Sequence, residues 1–141
     1  MKKIRRTLLV ALVLIMLSSV CYGALPQDSA RPFFLTVASY TQRFEIGADG
    51  SASGRLIVMP RNEDLMDEVV AVFEVENMAT GERVYRGTKE LIYSAIAADY
   101  SGTVTFEIED RGSYSMEILF YCYSEGRLVE TIRTNAMVRS Y

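Results

Sequence analysis

Strict alternation of apolar and polar side chains is the feature that most limits how this chain can fold. Between Thr103 and Glu109, Val104, Phe106 and Ile108 alternate with threonine and glutamate. In a second run, every second residue is apolar: Tyr114, Met116, Ile118, Phe120 and Cys122. Successive side chains of a β-strand point to opposite faces of the sheet, whereas the apolar face of a helix repeats about every 3.6 residues. Both segments are therefore predicted to be strands with one buried face and one face in solvent.

Segments of the same kind continue along the chain, separated by turn residues. Strands are predicted at 34–46, 54–59, 69–77, 83–93, 103–109, 114–123 and 127–138. About seven strands without a long helix predict an all-β fold, a single antiparallel β-sandwich. Two segments differ from this pattern. Residues 61–68 are expected to hold one helical turn capped by Asn62, and residues 94–101 fit either a strand or a helical turn.

The first 23 residues have the layout of a secretory signal peptide. Basic residues lie within positions 2–6, an apolar run follows, and Gly23 offers a cleavage point. We expect residues 1–23 to be removed, 24–33 to form a flexible leader and 34–141 to form the sandwich domain. The mature protein is then secreted or held at the cell surface, without membrane attachment. Two alternatives are an uncleaved anchor, for which the apolar run is short, and a lipid on Cys21, which bulky Val20 disfavours.

Composition excludes several classes of chemistry. The chain has no histidine, so histidine-activated serine or cysteine nucleophiles and histidine metal sites are excluded. Residues 24–141 contain 11 basic and 18 acidic residues, a net charge of −7, which disfavours nucleic acid as a partner. After cleavage Cys122 has no second cysteine to pair with, so no disulfide is expected. Its phase within the strand predicts a buried thiol.

Two groups of carboxylates invite a functional interpretation, and neither has the required pattern. The acidic run at 63–68 lacks the alternation around a glycine that calcium-binding loops use, so a solvated loop is favoured. Glu107 and Glu109 share the outward face of a strand, about 7 Å apart at the rise of a β-strand. Paired carboxylates hydrolyse glycosides, but solvated glutamates on a sheet are far commoner. We predict a protein that is not an enzyme, with no catalytic residue, metal site or cofactor.

One short motif, Asp110 to Tyr114, lies at a predicted corner between two strands. It resembles the tyrosine corner of immunoglobulin-like and fibronectin-like sandwiches, in which a tyrosine hydroxyl bonds to upstream backbone and a glycine allows a tight turn. Met116 then stands where immunoglobulin domains have a cysteine, and Phe73 stands in place of their core tryptophan. The resemblance implies an immunoglobulin-like sandwich with Leu56 or Val58 opposite Met116. The chain also resembles, in its general features, small signal-bearing sandwich proteins of Gram-positive bacteria whose function is unassigned.

The remaining candidate is a surface. If Phe73 and Phe120 point inward, alternation turns a second set of apolar residues outward on two strands that the immunoglobulin-like arrangement makes neighbours. We call this set the apolar stripe: Val70, Val72, Leu119, Tyr121 and Tyr123. Exposed apolar and tyrosine-rich patches often mark interaction sites. The alternative is that another part of the chain, or a second copy of it, covers the stripe.

These observations favour a non-enzymatic binding or interaction module. Its partner is expected to be a protein or a cell-surface ligand, and self-association is a further expectation. Two other functions stay open at this point. One is a secreted enzyme or inhibitor whose loops carry the chemistry, and the other is a structural subunit of an envelope assembly paired through an edge strand.

Overall fold

The computed structural model describes residues 34–141. The signal peptide predicted at 1–23 and the leader predicted at 24–33 lie outside the described residues. Within them the chain forms nine strands: β1 Val37–Ile46, β2 Ser51–Pro60, β3 Glu68–Asn77, β4 Arg83–Glu90, β5 Ile92–Ser94, β6 Asp99–Glu107, β7 Ser113–Ser124, β8 Arg127–Arg133 and β9 Met137–Ser140. A single 3-10 turn, Glu63–Leu65, lies between β2 and β3. The predicted all-β fold is confirmed.

The strands form two antiparallel sheets. One sheet has the order β1-β2-β6-β5. The other has the order β4-β3-β7-β8, with β9 also paired to β7. If β1 to β8 are lettered A, B, C, C′, D, E, F and G, these orders are ABED and C′CFG. This arrangement agrees with the strand order of immunoglobulin-like sandwiches.

The core lies between the two sheets and is formed by the inward phase of each strand. In β3 and β7 the two inward sets pair across the strands: Val69 with Cys122, Ala71 with Phe120, Phe73 with Ile118, and Val75 with Met116. All eight side chains are buried. The other sheet contributes buried Phe44, Leu56, Val58 and Val104. Burial of this apolar surface drives the folding of the domain, because no disulfide is formed by the described residues.

Two predicted strands are each divided into two. The segment 83–93 was expected to be one strand, but the chain leaves β4 at Glu90 and crosses to the other sheet as β5. Leu91 lies at the crossing, where its buried side chain packs into the core and its amide donates to the carbonyl of Val69. The segment 127–138 is interrupted between β8 and β9 by Thr134, whose buried hydroxyl accepts from the Ile118 amide. These two breaks account for nine strands instead of about seven.

The connections follow the turn chemistry of the sequence. The predicted helical turn is present, and the Asn62 side chain caps it by accepting from the Asp64 amide. The open segment 94–101 contains no helix: β5 ends at Ser94, a turn follows, and β6 begins at Asp99. In the β1–β2 turn Gly50 has a φ of 86°, which glycine adopts without strain.

The tyrosine corner has the predicted hydrogen bond but not the predicted use of glycine. The buried Tyr114 hydroxyl donates to the carbonyl oxygen of Asp110 at 2.6 Å. Gly112 is not among the glycines with positive φ, and a side chain there would meet its nearest neighbour at 3.7 Å. The corner is therefore held by the tyrosine and does not require glycine at position 112.

Leu56 or Val58 was expected to lie opposite Met116, but the structure places a different residue there. Gly54 of β2 faces Met116, and a Cβ atom at position 54 would lie 2.7 Å from the Met116 sulfur. The Phe73 ring lies 3.0 Å from the same point. Absence of a side chain at Gly54 thus makes room for two large ones, and close packing joins the two sheets at this point.

Candidate functional site

The register between β3 and β7 brings the apolar stripe together. Val70 pairs directly with Tyr121 and Val72 with Leu119, while Tyr123 pairs with Glu68 at the end of the stripe. Directly paired residues of an antiparallel sheet have Cβ atoms about 4.5–5.5 Å apart. All five side chains are half-buried and lie on the outer face of the sheet, since their strand neighbours are in the core. The five residues of the apolar stripe therefore face outward and lie on neighbouring strands, as the sequence predicts.

The stripe crosses the two central strands and is bordered by small polar side chains. Thr88 of β4 pairs with Val72, and Thr131 of β8 pairs with Tyr121, so both threonines lie on the same outer face and both are exposed. At the Tyr123 end Leu128 of β8 extends the apolar surface with 54% of its side chain exposed. The stripe is thus flanked by threonines on β4 and β8 and is continued by Leu128.

One end of the stripe is closed by ion pairs. Glu74, next to Val72 on the outer face of β3, lies 3.1 Å from Arg86 and 3.7 Å from Arg83. Glu117, next to Leu119 on β7, lies 2.9 Å from Arg133. Glu74 and Glu117 are thus compensated by arginines of the same sheet. Such exposed pairs contribute little to stability individually, about 0–1 kcal/mol.

The opposite end carries carboxylates of another kind. Glu68 pairs with Tyr123, and Glu90 of β4 pairs with Val70, so both lie on the outer face beside the stripe. Neither carboxylate makes an ion pair or a side-chain hydrogen bond with any other described residue. Nearby Asp67 differs, because its carboxylate accepts from the Glu125 amide and holds the β7–β8 turn.

Sequence reasoning did not single out several apolar residues that are more exposed than the stripe. Ile96 is fully exposed in the β5–β6 turn, Ile92 of β5 is 71% exposed, and Leu128 borders the stripe. Ile92 fell near the end of the strand predicted at 83–93, and Ile96 fell in the segment 94–101, which the sequence left open between a strand and a helical turn. A signal was nevertheless present in 94–98, where alanine and isoleucine occupy a turn that normally selects polar residues.

The other candidates occupy ordinary positions. Glu107 at the end of β6 and Glu109 beyond it are both exposed on the surface. Within residues 34–141 no cluster of three or more cysteine and carboxylate side chains has the geometry to hold a metal ion. No helix in the same range is long and apolar enough to cross a membrane.

Cys122 points into the core and is fully buried, as its phase predicts. Burial raises the pKa of its thiol to about 11, although a hydrogen bond with Thr36 lowers it in part. The thiol is consequently protonated at neutral pH, and a protonated thiol is a poor nucleophile. The residue fills space between the sheets.

Fold and surface together define a small all-β sandwich domain with an apolar stripe on one sheet. No protein-family model matches the chain, and no curated protein matches it either. Among solved structures the chain is similar to the crystal structure of a carbohydrate-binding module family 56 β-1,3-glucan binding domain. The identity is 13% and the TM-score is 0.38, over 72% of this chain and 99% of that one.

Proposed function

We propose that the protein is a non-enzymatic binding module, secreted or held at the cell surface, whose apolar stripe contacts a protein or a cell-surface ligand. The register between β3 and β7 carries this proposal, because it gathers five apolar side chains on an outer face. The N-terminal sequence pattern supports the location outside the cytoplasm.

The stripe has the composition and rigidity of a contact surface. Tyrosine supplies a large contact area with few rotatable bonds, and tyrosines at the centre of an interface are frequent hot spots. Tyr121 and Tyr123 lie on β7, which pairs with β3 on one side and with β8 and β9 on the other. Their backbone positions are thus fixed before a partner binds, which reduces the conformational entropy lost on binding.

Site-specific photo-cross-linking in the producing cell tests this function. A benzophenone side chain is introduced in place of Thr131, which pairs with Tyr121, and in a separate protein in place of Thr103. Thr103 is exposed on the outer face of the other sheet and serves as the matched control. We expect a discrete adduct, identified by mass spectrometry, from position 131 and none from position 103. No adduct from position 131, or equal adducts from both, would contradict the proposal.

A double substitution then relates the adduct to the stripe. Tyr121→Ser/Tyr123→Ser should abolish the adduct at position 131 while leaving the domain folded, since surface substitutions usually cost within about 0.5 kcal/mol each. The control Ile57→Ser/Met59→Ser removes two outward apolar side chains from β2 and should leave the adduct unchanged. Thermal unfolding followed by circular dichroism verifies that both variants fold. An adduct that survives the tyrosine change places the contact elsewhere.

A further inference from the structure

The two ends of the apolar stripe differ in how their carboxylates are compensated. At the Val72 end, the carboxylates of Glu74 and Glu117 lie within 3.1 Å of arginines of the same sheet. At the Tyr123 end, Glu68 and Glu90 have no cationic partner among the described residues. The surface therefore combines an apolar strip with an unneutralised negative charge at one end.

Glu68 and Glu90 are close enough to act on one cation. Glu90 pairs with Val70, and Glu68 precedes Val70 by two residues on the same face of β3. The two glutamates are therefore diagonal neighbours across the strands, and such positions have Cα atoms about 7–8 Å apart. Two carboxylates at this separation repel each other, and a single guanidinium or ammonium group between them replaces repulsion by attraction.

Two basic residues beside the stripe do not pair with these carboxylates. Lys89 follows the inward phase of β4, where it pairs with Ala71, and its stem extends toward Gly102 of the other sheet. Arg133 pairs with Leu119 in register but forms its ion pair with Glu117, at the compensated end. Within residues 34–141 no lysine or arginine forms an ion pair with Glu68 or Glu90.

We infer that the occupant of the apolar stripe is a polypeptide segment that places apolar side chains on the stripe and a lysine or arginine between Glu68 and Glu90. This inference rests on the proposed function, since it assumes that the stripe is the contact surface. Charge complementarity carries it: the stripe supplies the apolar contact, and the two unpaired carboxylates set the position and direction of the segment.

A second copy of this chain is a poorer occupant. Residues 34–141 contain ten basic and 17 acidic residues, a net charge of −7, so two copies repel each other at long range. The arginines on the same face, Arg83, Arg86 and Arg133, already lie against Glu74 or Glu117. A second copy that docked through the same face would have to break these pairs before those arginines could reach Glu68 and Glu90.

Selection from a random dodecapeptide library displayed on phage, with the purified protein as bait, tests the inference. Enriched peptides should combine apolar residues with lysine or arginine. A synthetic copy of one of them should bind Glu68→Gln/Glu90→Gln about three- to tenfold more weakly than the unsubstituted protein, as two exposed charge contacts would give. Its affinity should also fall with added salt. The matched control Glu107→Gln/Glu109→Gln removes two exposed carboxylates elsewhere and should leave the affinity unchanged.

Each outcome separates the inference from the proposed function. If Tyr121→Ser/Tyr123→Ser abolishes peptide binding and Glu68→Gln/Glu90→Gln leaves it unchanged, the stripe is the contact surface and the inference is wrong. If neither double variant affects peptide binding, the proposed function and the inference are both wrong. If no peptide is enriched, the inference is overturned. Sedimentation equilibrium then shows whether a dimer that depends on Tyr121 and Tyr123 is the occupant instead.

Discussion

Glu130 holds Thr36 by two hydrogen bonds, one from the Thr36 amide at 2.9 Å and one from its hydroxyl at 2.6 Å. The amide of Leu35 donates to the second carboxylate oxygen at 2.8 Å. Glu130 lies on β8 and Thr36 directly precedes β1, so these bonds join the two sheets at one edge of the sandwich. Gln42 donates to the carbonyl of Asn135 at 2.6 Å and closes the same edge further along.

Replacing Glu130 should destabilise the domain. In Glu130→Gln one oxygen becomes an amide group that cannot accept, so a backbone amide or the hydroxyl of Thr36 loses its partner. We expect a loss of about 1–3 kcal/mol in the free energy of unfolding, the usual cost of an unsatisfied donor or a lost charged hydrogen bond. Urea unfolding monitored by circular dichroism measures this loss. The exposed control Glu107→Gln should change the free energy by less than about 0.5 kcal/mol.

The same carboxylate predicts a dependence of stability on pH. Partial burial raises the pKa of Glu130, but hydrogen bonds from Thr36 and Leu35 outweigh burial and hold it below its ordinary value. A lowered pKa means that the unfolded state binds the proton more readily, so the stabilisation is present above the ordinary glutamate pKa. It is lost as the pH falls through the lower pKa of the folded state. The difference in unfolding free energy between the unsubstituted protein and Glu130→Gln should therefore shrink on acidification, and a constant difference would contradict the prediction.

The tyrosine corner can be tested by removing one oxygen. Tyr114→Phe deletes the hydroxyl that donates to Asp110 and leaves the buried ring in place. We expect a loss of about 1 kcal/mol in the free energy of unfolding. Tyr40→Phe is the control, since the Tyr40 ring packs on Phe120 while its hydroxyl has no hydrogen-bond partner within residues 34–141. Equal stability of the two variants in urea unfolding would show that the hydrogen bond does not hold the corner.

Cys122 should be unreactive in the folded protein. Its side chain is fully buried and burial raises the pKa of the thiol to about 11, so access and ionisation both oppose reaction. A colorimetric disulfide reagent should label it only as the protein unfolds. Addition of about 6 M guanidinium chloride to the same sample is the control and should give one thiol per chain for protein that lacks residues 1–23. Rapid labelling under native conditions would mean that β7 exposes the opposite phase.

Sequence alternation predicted most of the fold because the pleat of a strand fixes which residues share a face. The inward set of β7, Tyr114 to Cys122, and the outward apolar stripe are two phases of the same pattern, so both could be assigned from one observation. The strand breaks at Leu91 and Thr134 could not be assigned from the alternation of side chains. Each depends on a partner distant in sequence, the carbonyl of Val69 for one and the amide of Ile118 for the other.

The candidate site was predictable only in its apolar part. That Glu68 and Glu90 flank the stripe follows from the register of β3 with β4 and β7, and register depends on the exact residue at which each strand begins. That they are unpaired follows from where the arginines lie. Arg86 reaches Glu74, and no spacing along the chain distinguishes Glu74 from Glu90 as its partner.

The packing of Gly54 against Met116 gives the sharpest test of the core. In Gly54→Ala the new Cβ atom would lie 2.7 Å from the Met116 sulfur and 3.0 Å from the Phe73 ring. Both side chains are fully buried and have little room to move, so overpacking should cost about 1–3 kcal/mol. That cost exceeds the roughly 0.5–1 kcal/mol gained when alanine replaces glycine in a strand.

Gly112→Ala is the matched control, since a Cβ atom at position 112 would lie 3.7 Å from its nearest neighbour and the φ of Gly112 is not positive. Urea unfolding should give a lower midpoint for Gly54→Ala and an unchanged or higher one for Gly112→Ala, and the reverse order would refute this account of the core.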